Sequence, residues 1–249
     1  TVNDFVLHSF EEEADYIQND ITGSCIEENI FYVSSDNGND NNPGTETEPL
    51  QSIRHALSLV KQNNDEVTTI YLNAGIYSND RNGEVFPIVI PDNVHLIGDE
   101  PENTELFASA DADNEAGVII IKEVNNVMIA NLTLKGGYSE GHGCSGGGGL
   151  LIAANDMFNL NTDNGNNVAL SYPVIDNVII EENHSHNGGG LGLFRVNGPV
   201  LNDVIIRNNT ATAYGGGVFS YVSTVTMTNV TITQNENLAD GQGGGIMLA

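Results

Sequence analysis

Three consecutive segments decide the fold: DNVIIEENHSHNGGGLGLF at residues 176–194, NDVIIRNNTATAYGGGVFSY at 202–221 and TNVTITQNENLADGQGGGIMLA at 228–249. Each contains a short apolar run, an Asn-containing stretch and a glycine triplet, and equivalent Asn or Asp positions recur every 26 residues. A unit of this length, with three short strands, can bury its apolar face only against its neighbours. The repeat therefore predicts a solenoid of parallel sheets in which each unit forms one coil.

The repeated Asn and Asp positions mark the turns of the predicted coil. A residue at a tight turn must adopt a left-handed backbone conformation, which Asn tolerates. Stacked Asn side chains can then hydrogen-bond along the solenoid axis, and the glycine triplets allow the backbone to bend into the next strand. We expect a structural ladder of Asn177, Asp203, Asn229, Asn183, Asn209 and Asn235.

The rest of the chain divides into a tail and the solenoid. Residues 1–29 are acidic and have no sustained hydrophobic period, so we expect a tail or linker. The solenoid is expected over 30–249, with regular coils from about residue 126 and an insertion at 155–170. Apolar residues at helical spacing predict an amphipathic helix over 51–62.

The sequence stops at GGGIMLA, within a predicted coil. An open solenoid end exposes apolar core and unpaired strand edges, so it needs a cap. We therefore expect that the chain is truncated at its C-terminus or covered there by another chain. End-to-end self-association through the uncapped coil is a further expectation.

Two other segments carry a family resemblance. FYVSSDNGNDNNPGTETEPLQSIRHAL at 31–57 and GVIIIKEVNNVMIANLTLKGG at 117–137 resemble the right-handed parallel β-helix proteins of the pectate-lyase-like superfamily. The glycine-triplet coils are similar to those of bacterial surface proteins and adhesins. The resemblance covers about residues 30–249 and implies an all-β, right-handed parallel β-helix with an N-terminal capping α-helix. Because this fold carries lyases, hydrolases and adhesins alike, it does not name a function.

The composition excludes several classes of partner. The net charge is −27, from 34 acidic and 7 basic residues, which argues against nucleic acid and anionic membrane surfaces. No apolar run has the length of a membrane span, so direct membrane insertion is not expected. The acidic charge suits a salty, calcium-containing exterior, and we expect an extracellular or cell-surface protein. The two cysteines, Cys25 and Cys144, leave open whether a disulfide forms.

Aligning the coils on their glycine triplets suggests a metal site. The alignment brings His142, Cys144, His184 and His186 onto one loop ridge of two adjacent coils. Imidazole and thiolate groups bind zinc or copper. The alternative is that these are polar loop side chains that face solvent.

Acidic residues suggest calcium as the one cofactor. Glu140, Glu181 and Glu182 lie near the same ridge, and Asp36, Asp40 and Glu46 share the first loop. Oxygen-rich loops can hold calcium. The alternative is a solvated acidic surface.

The best candidates for lyase chemistry are Arg207, Tyr214 and Glu181. β-Elimination needs a base for the proton next to a uronate carboxylate, and positive charge to stabilise the developing enolate. The alternative role of Arg207 is surface ion pairing. A glycoside hydrolase would instead need two carboxylates at a defined separation, and the sequence singles out no such pair.

Aromatic residues at equivalent positions of successive coils suggest a ligand platform. Phe194 and Tyr221 would form a sugar-stacking surface if they point outward, and a core aromatic stack if they point inward.

These observations favour a structural or adhesive β-helix module of a larger secreted or cell-surface protein. Its expected partners are carbohydrate or other subunits of a surface assembly. The competing expectation is a polysaccharide lyase or glycoside hydrolase that acts on an extracellular polysaccharide, with calcium. Whether the protein is an enzyme stays open from the sequence, although the few basic residues argue against a typical lyase cleft.

Overall fold

The computed structural model describes residues 29–61, 66–140, 146–154, 168–238 and 242–249. Its two helices are α1 (Ile53–Leu59) and α2 (Asn79–Asn82). The first nine strands are β1 (Ile30–Val33), β2 (Thr68–Leu72), β3 (Gly75–Tyr77), β4 (Ile88–Ile90), β5 (Val94–Ile97), β6 (Thr104–Phe107), β7 (Ile119–Lys122), β8 (Met128–Lys135) and β9 (Tyr138–Ser139). The remaining strands are β10 (Leu150–Ala153), β11 (Ala169–Leu170), β12 (Val174–Glu181), β13 (His184–Asn187), β14 (Leu191–Phe194), β15 (Val196–Asn202), β16 (Ile205–Arg207), β17 (Thr210–Tyr214), β18 (Val218–Tyr221), β19 (Thr224–Thr228), β20 (Thr231–Thr233), β21 (Glu236–Asn237) and β22 (Ile246–Leu248).

The strands form three parallel sheets. Sheet A has twelve strands along the path β1-β2-β5-β8-β12-β15-β11 and its branches. Sheet B has the order β22-β18-β14-β10-β7-β4, and sheet C has the order β21-β17-β13-β9. Strand β12 pairs in parallel with β8 of the preceding coil and with β15 and β16 of the following one. The predicted all-β, right-handed parallel β-helix is confirmed as the fold class.

Two successive regular coils each turn at four corners that have a left-handed backbone. In one coil the corner residues are Asn177, Glu182, Gly188 and Arg195, and in the next they are Asp203, Asn208, Gly215 and Val222, all with φ between 45° and 64°. Each of these coils therefore has four straight segments. The segments before and after Asn177 both belong to sheet A. Asn or Asp occupies this first corner in every regular coil because these residues tolerate a positive φ.

The sequence predicted three strands per coil and missed the one in sheet C. Strands β13 and β17 have the sequences HSHN and TATAY, which lack the apolar alternation by which strands are recognised. The inward positions hold small residues: Ser185 and Ala211 are both fully buried. The strand that the sequence did not predict carries His184 and His186 in one coil and Thr210 and Thr212 in the next.

The repeated asparagines separate into two sets with different roles. Asn183 and Asn209 are buried, and the Oδ1 atom of Asn209 accepts from both the backbone N and Nδ2 of Asn183 at 3.0 Å. Asn209 makes the same two donations to Oδ1 of Asn235 at 2.9 Å. The corner set is exposed, with side-chain bonds from Asn177 to Asn131 and from Asn229 to Asp203.

The glycine triplet does more than bend the backbone. A Cβ atom on Gly190 would lie 2.8 Å from Nδ2 of Asn209 and 2.8 Å from Cγ2 of Ile206. Gly149 and Gly217 stand in the same relation to Asn183 and Asn235. Gly149, Gly190 and Gly217 therefore make room for asparagine side chains of the ladder.

The N-terminal helix is shorter than the predicted range of 51–62. Ser52 caps α1 through a bond from the backbone N of His55, and Ile53 and Ala56 are buried in the core. The fully buried carboxylate of Glu84 accepts from the backbone N atoms of Ile53 and Arg54 at 2.7 and 3.1 Å. Burial raises the pKa of Glu84, although these N–H bonds oppose that shift. The role of the helix as a cap of the coil stack stays a prediction.

Among the described helices, none has the length and hydropathy needed to cross a membrane.

Replacing Asn209 with Ala should lower the free energy of unfolding by about 3 kcal/mol, because buried hydrogen-bonding groups on two neighbouring coils lose their partners. Urea unfolding followed by circular dichroism measures the change. Asn202→Ala, at a half-buried outward position of β15, is the matched control and should change stability by less than about 0.5 kcal/mol. Equal effects of the two substitutions would contradict the structural role of the buried ladder.

Replacing Val222 with Asn should raise the free energy of unfolding by about 1 kcal/mol, because a β-branched residue is strained at a left-handed corner. The φ of Val222 is 45°, and the residue is 41% exposed, so the substitution sacrifices little burial. Thermal unfolding compares this variant with Thr226→Asn, which lies at an exposed position in the extended strand β19 and should bring no gain. A loss of stability in Val222→Asn would contradict the corner geometry.

Candidate functional site

The outer face of sheet C carries a polar cluster on three successive coils. Tyr138 on β9 pairs in register with His184 on β13, and His184 pairs with Thr210 on β17. We name the set Tyr138, Glu140, His184, His186, Thr210 and Thr212 the histidine face.

Both ring nitrogens of His184 have hydrogen-bond partners. Nε2 lies 2.7 Å from Oε1 of Glu140, and Nδ1 lies 2.7 Å from Oγ1 of Thr210. The ring of Tyr138 stacks on the imidazole, with centroids 4.5 Å apart and planes inclined by 17°. These contacts restrain the position and rotation of the imidazole.

The carboxylate of Glu140 joins two coils. Thr212 donates its hydroxyl proton to Glu140, with Oγ1 lying 2.9 Å from both carboxylate oxygens. Nδ1 of His186 lies 3.1 Å from the same hydroxyl oxygen and 3.7 Å from Oε2 of Glu140. The side chain of His186 is 40% exposed, against 20% for His184. The histidine face therefore has one restrained and one accessible imidazole.

Acidic groups from a preceding loop border the histidine face. The backbone N of Glu140 donates to Oε2 of Glu115 at 3.1 Å. Desolvation raises the pKa of Tyr138, and the carboxylates of Glu140, Glu115 and Asp111 raise it further. Glu115 also lines an open pocket of about 510 Å³ that reaches Glu84 and Phe86.

The structure gives a different register between the coils of β9 and β13 from the one in the glycine-triplet alignment. In that alignment His142 takes the position equivalent to Asn183, whereas the pairing of Tyr138 with His184 gives that position to Gly137, whose backbone N donates to Oδ1 of Asn183. The chain has eleven residue steps from Tyr138 to Gly149 and only six between the equivalent positions of the next coil, so five extra residues shift the alignment.

Two members of the predicted metal cluster, His142 and Cys144, lie outside the described residues. Within the described part of the chain, no group of three His, Cys, Asp or Glu side chains converges to hold a metal ion. Both ring nitrogens of His184 have hydrogen-bond partners. In His186 only Nδ1 has a hydrogen-bond partner among the described residues. Zinc or copper binding by the four residues stays a prediction.

The acidic residues proposed for calcium have protein partners in the first loop. Asp36 accepts from Arg81 at 2.7 Å. Asp40 accepts from the backbone N atoms of Gln51 and Ser52 and from the Ser52 hydroxyl, so it organises the start of α1. Calcium binding remains a prediction.

The candidate catalytic residues do not form one cluster. Nε of Arg207 on β16 donates to Oε2 of Glu181 at 2.7 Å. Lys135 joins this row, with Nζ 3.1 Å from Glu182 and 3.8 Å from Glu181. Tyr214 lies on β17 in sheet C, where its ring packs against Phe219 with centroids 6.0 Å apart. Arg207 and Glu181 are thus brought together, and Tyr214 is placed on a different side of the coil.

The aromatic pair Phe194 and Tyr221 lies in register on β14 and β18. Phe194 is 1% exposed and belongs to a second apolar cluster on sheet B, separate from the main core. Its ring packs against Phe219 with centroids 5.4 Å apart. Because Phe194 is buried, the described surface presents only Tyr221 of this pair for sugar stacking.

The chain has low similarity to three solved structures of carbohydrate-active enzymes. A solved structure of pectin methylesterase PemA from Erwinia chrysanthemi matches 80% of the chain and 64% of its own, with 11% identity and a TM-score of 0.43. A pectin methylesterase in complex with a hexasaccharide matches 79% and 66%, with 10% identity and a TM-score of 0.41. A rhamnogalacturonan lyase matches 88% and 60%, with 12% identity and a TM-score of 0.42.

These matches carry no functional argument, because their identities and TM-scores are low. The chain spans less than two thirds of the length of PemA. A family model described as a protein of unknown function, DUF1565, matches residues 36–110, which is under half of the chain. No curated protein matches the sequence. The resemblance to parallel β-helix proteins rests on the parallel strand pairing of the chain's own three sheets.

Replacing Glu140 with Gln should lower the pKa of Tyr138 towards its ordinary value of about 10, because a negative charge that disfavours the tyrosinate is removed. A carbon-13 NMR titration of labelled tyrosine rings measures this shift. Glu236→Gln, which removes an exposed charge opposite Thr210, is the matched control. An unchanged Tyr138 titration in Glu140→Gln would contradict the placement of Glu140 beside it.

Proposed function

We propose that this chain is a glycan-binding β-helix module that contacts an extracellular polysaccharide through the histidine face. The single observation that carries the proposal is the fixed, outward-facing hydrogen-bond network of Glu140, His184, His186 and Thr212. Carboxylate, imidazole and hydroxyl groups suit the hydroxyl-rich surface of a sugar, because together they offer donors and acceptors at fixed positions.

The shape of the histidine face favours a polymer over a small molecule. Its side chains lie on the outside of a parallel sheet, where successive coils repeat at about 4.8 Å, whereas small-molecule sites are enclosed and mostly apolar. The open pocket beside Glu115 extends the surface towards Phe86 and Asn114. A chain of several sugar units can therefore span the face and place one unit in this pocket.

The charges on sheet A support binding over eliminative chemistry. A lyase needs free positive charge to stabilise an enolate, but Arg207 and Lys135 are both paired with carboxylates. Glu105 on β6 pairs with Thr133, two residues before Lys135. Desolvation raises the pKa of Glu105, although Lys135 opposes that shift. This row therefore presents little net positive charge to a uronate.

A role as an extended structural or adhesive element of a larger surface protein is compatible with this proposal. Regular coils form a rigid scaffold, and the acidic composition suits a protein that is exposed to high salt. Glycan binding would give such a scaffold its adhesive activity. An extracellular or cell-surface location is part of the same proposal.

Binding to a panel of neutral and acidic polysaccharides tests the proposal by affinity electrophoresis. We expect retardation by at least one polysaccharide, and a loss of at least about fivefold in affinity in the double variant His184→Ala, His186→Ala, because about 1 kcal/mol of hydrogen bonding is removed. Thr231→Ala, at an exposed position on sheet A, is the control. Circular dichroism verifies that both variants are folded.

Two outcomes would count against the proposal. Absence of binding across the panel by the folded protein would contradict glycan binding. Binding that the double variant retains in full would place the glycan on another surface. Release of unsaturated products from an acidic polysaccharide, detected by their ultraviolet absorbance, would instead identify a lyase.

A further inference from the structure

The hydrogen bonds of the histidine face assign different tautomers to its two histidines. The carboxylate of Glu140 can only accept, so the 2.7 Å contact with His184 requires a proton on Nε2. In the neutral ring, Nδ1 of His184 then carries the lone pair and accepts a hydrogen bond from the hydroxyl of Thr210. Both nitrogens of His184 are thus occupied.

His186 has the opposite arrangement. The single hydroxyl proton of Thr212 is donated to Glu140, so Oγ1 can only accept from Nδ1 of His186. A proton on Nδ1 leaves the lone pair of the neutral ring on Nε2. Nε2 of His186 has no hydrogen-bond partner among the described residues, and its side chain is the more exposed of the two.

We infer that Nε2 of His186 is the hydrogen-bond acceptor that the histidine face presents to its ligand. The ligand must supply a donor at this point, and sugar hydroxyl or amino groups do so. This inference rests on the proposed glycan binding, and together with the surrounding negative charges it names the ligand class: neutral or amino sugars, rather than uronates.

The surrounding carboxylates also favour an uncharged sugar over a uronate. A uronate carboxylate can only accept, so it would oppose the lone pair of His186. It would also be repelled by Glu140, by Glu115 and Asp111 of the preceding loop, and by Glu236 on the neighbouring strand β21. Tyr138 and His184 complete the titratable groups of the face, and no described Lys or Arg makes an ion pair with Glu140.

Long-range proton–nitrogen NMR correlations of the full chain test the tautomers directly at pH 8. We expect the unprotonated nitrogen to be Nδ1 in His184 and Nε2 in His186, with assignments made from His184→Gln and His186→Gln. Thr212→Val removes the hydroxyl that orients His186 and should give that ring a mixture of tautomers. Thr231→Val, on sheet A, is the matched control and should change neither ring. Finding both histidines with a proton on Nε2 would overturn the inference.

Binding of galactan and polygalacturonate tests the ligand class. We expect the uncharged galactan to bind at least tenfold more tightly than the uronate polymer. His186→Leu should lower the affinity for galactan about fivefold, the effect of losing one hydrogen bond of about 1 kcal/mol. Equal affinity for the two polymers, or no effect of His186→Leu on galactan binding, would overturn the inference while leaving glycan binding intact.

The two proposals fail in different ways. If neither these polymers nor the wider panel binds, the proposed function and the ligand class both fail. In that case the NMR result still decides the tautomer assignment. If a uronate polymer binds best, glycan binding stands, and the selection against uronates is wrong.

Discussion

The buried hydrogen bonds between stacked asparagines are the constraint on which the rest of the structure depends. Asn209 satisfies backbone and side-chain groups of Asn183 and donates in turn to Asn235. A shift of one coil against the next would break several of these bonds at once, including those between the buried Asn183 and Asn209. The absence of a Cβ atom at Gly190 leaves room for the side chain of Asn209. The contact between Asn209 and Gly190 therefore constrains both the strand register and the spacing of the corners. The repeat must keep an Asn and a Gly at these two positions of each coil.

This ladder also positions the histidine face. His184, Thr210 and Glu236 each follow directly after a ladder asparagine in the sequence. Their strands start from a fixed point, so the imidazole of His184 meets Thr210 in register on the next coil. The carboxylate of Glu140 then reaches across to Thr212 and links non-adjacent coils. A site assembled from side chains on three coils is feasible because the buried ladder fixes the backbone beneath it.

The sequence predicted the solenoid well because its signals are local and repeated. Asn or Asp at each first corner and glycine at the third corner reflect the backbone angles that those positions require. The polar strands of sheet C gave no such signal, because HSHN and TATAY bury only small residues.

The position of Glu140 beside the histidines could not be predicted from the repeat for a different reason. Five extra residues between Tyr138 and Gly149 break the period there, so counting from the glycines displaces every residue before them. Sequence reasoning singled out His184 and His186 but missed Thr210 and Thr212 as their partners, and it considered Glu140 only as a calcium ligand.

The same fold can support catalysis or binding, and the distribution of charge separates the two here. Arg207 stands on the coil wall as a candidate for stabilising negative charge, yet its Nε is bonded to Glu181, and the nearby Lys135 is held by Glu182. To act on an anionic substrate, these cations would first have to leave carboxylates that are already in contact with them. The histidine face needs no such exchange. Its carboxylate is satisfied by hydroxyl and imidazole donors, and its accessible acceptor is oriented before any ligand arrives. Preorganisation of this kind lowers the cost of binding, and it is the property that a rigid solenoid is best able to supply.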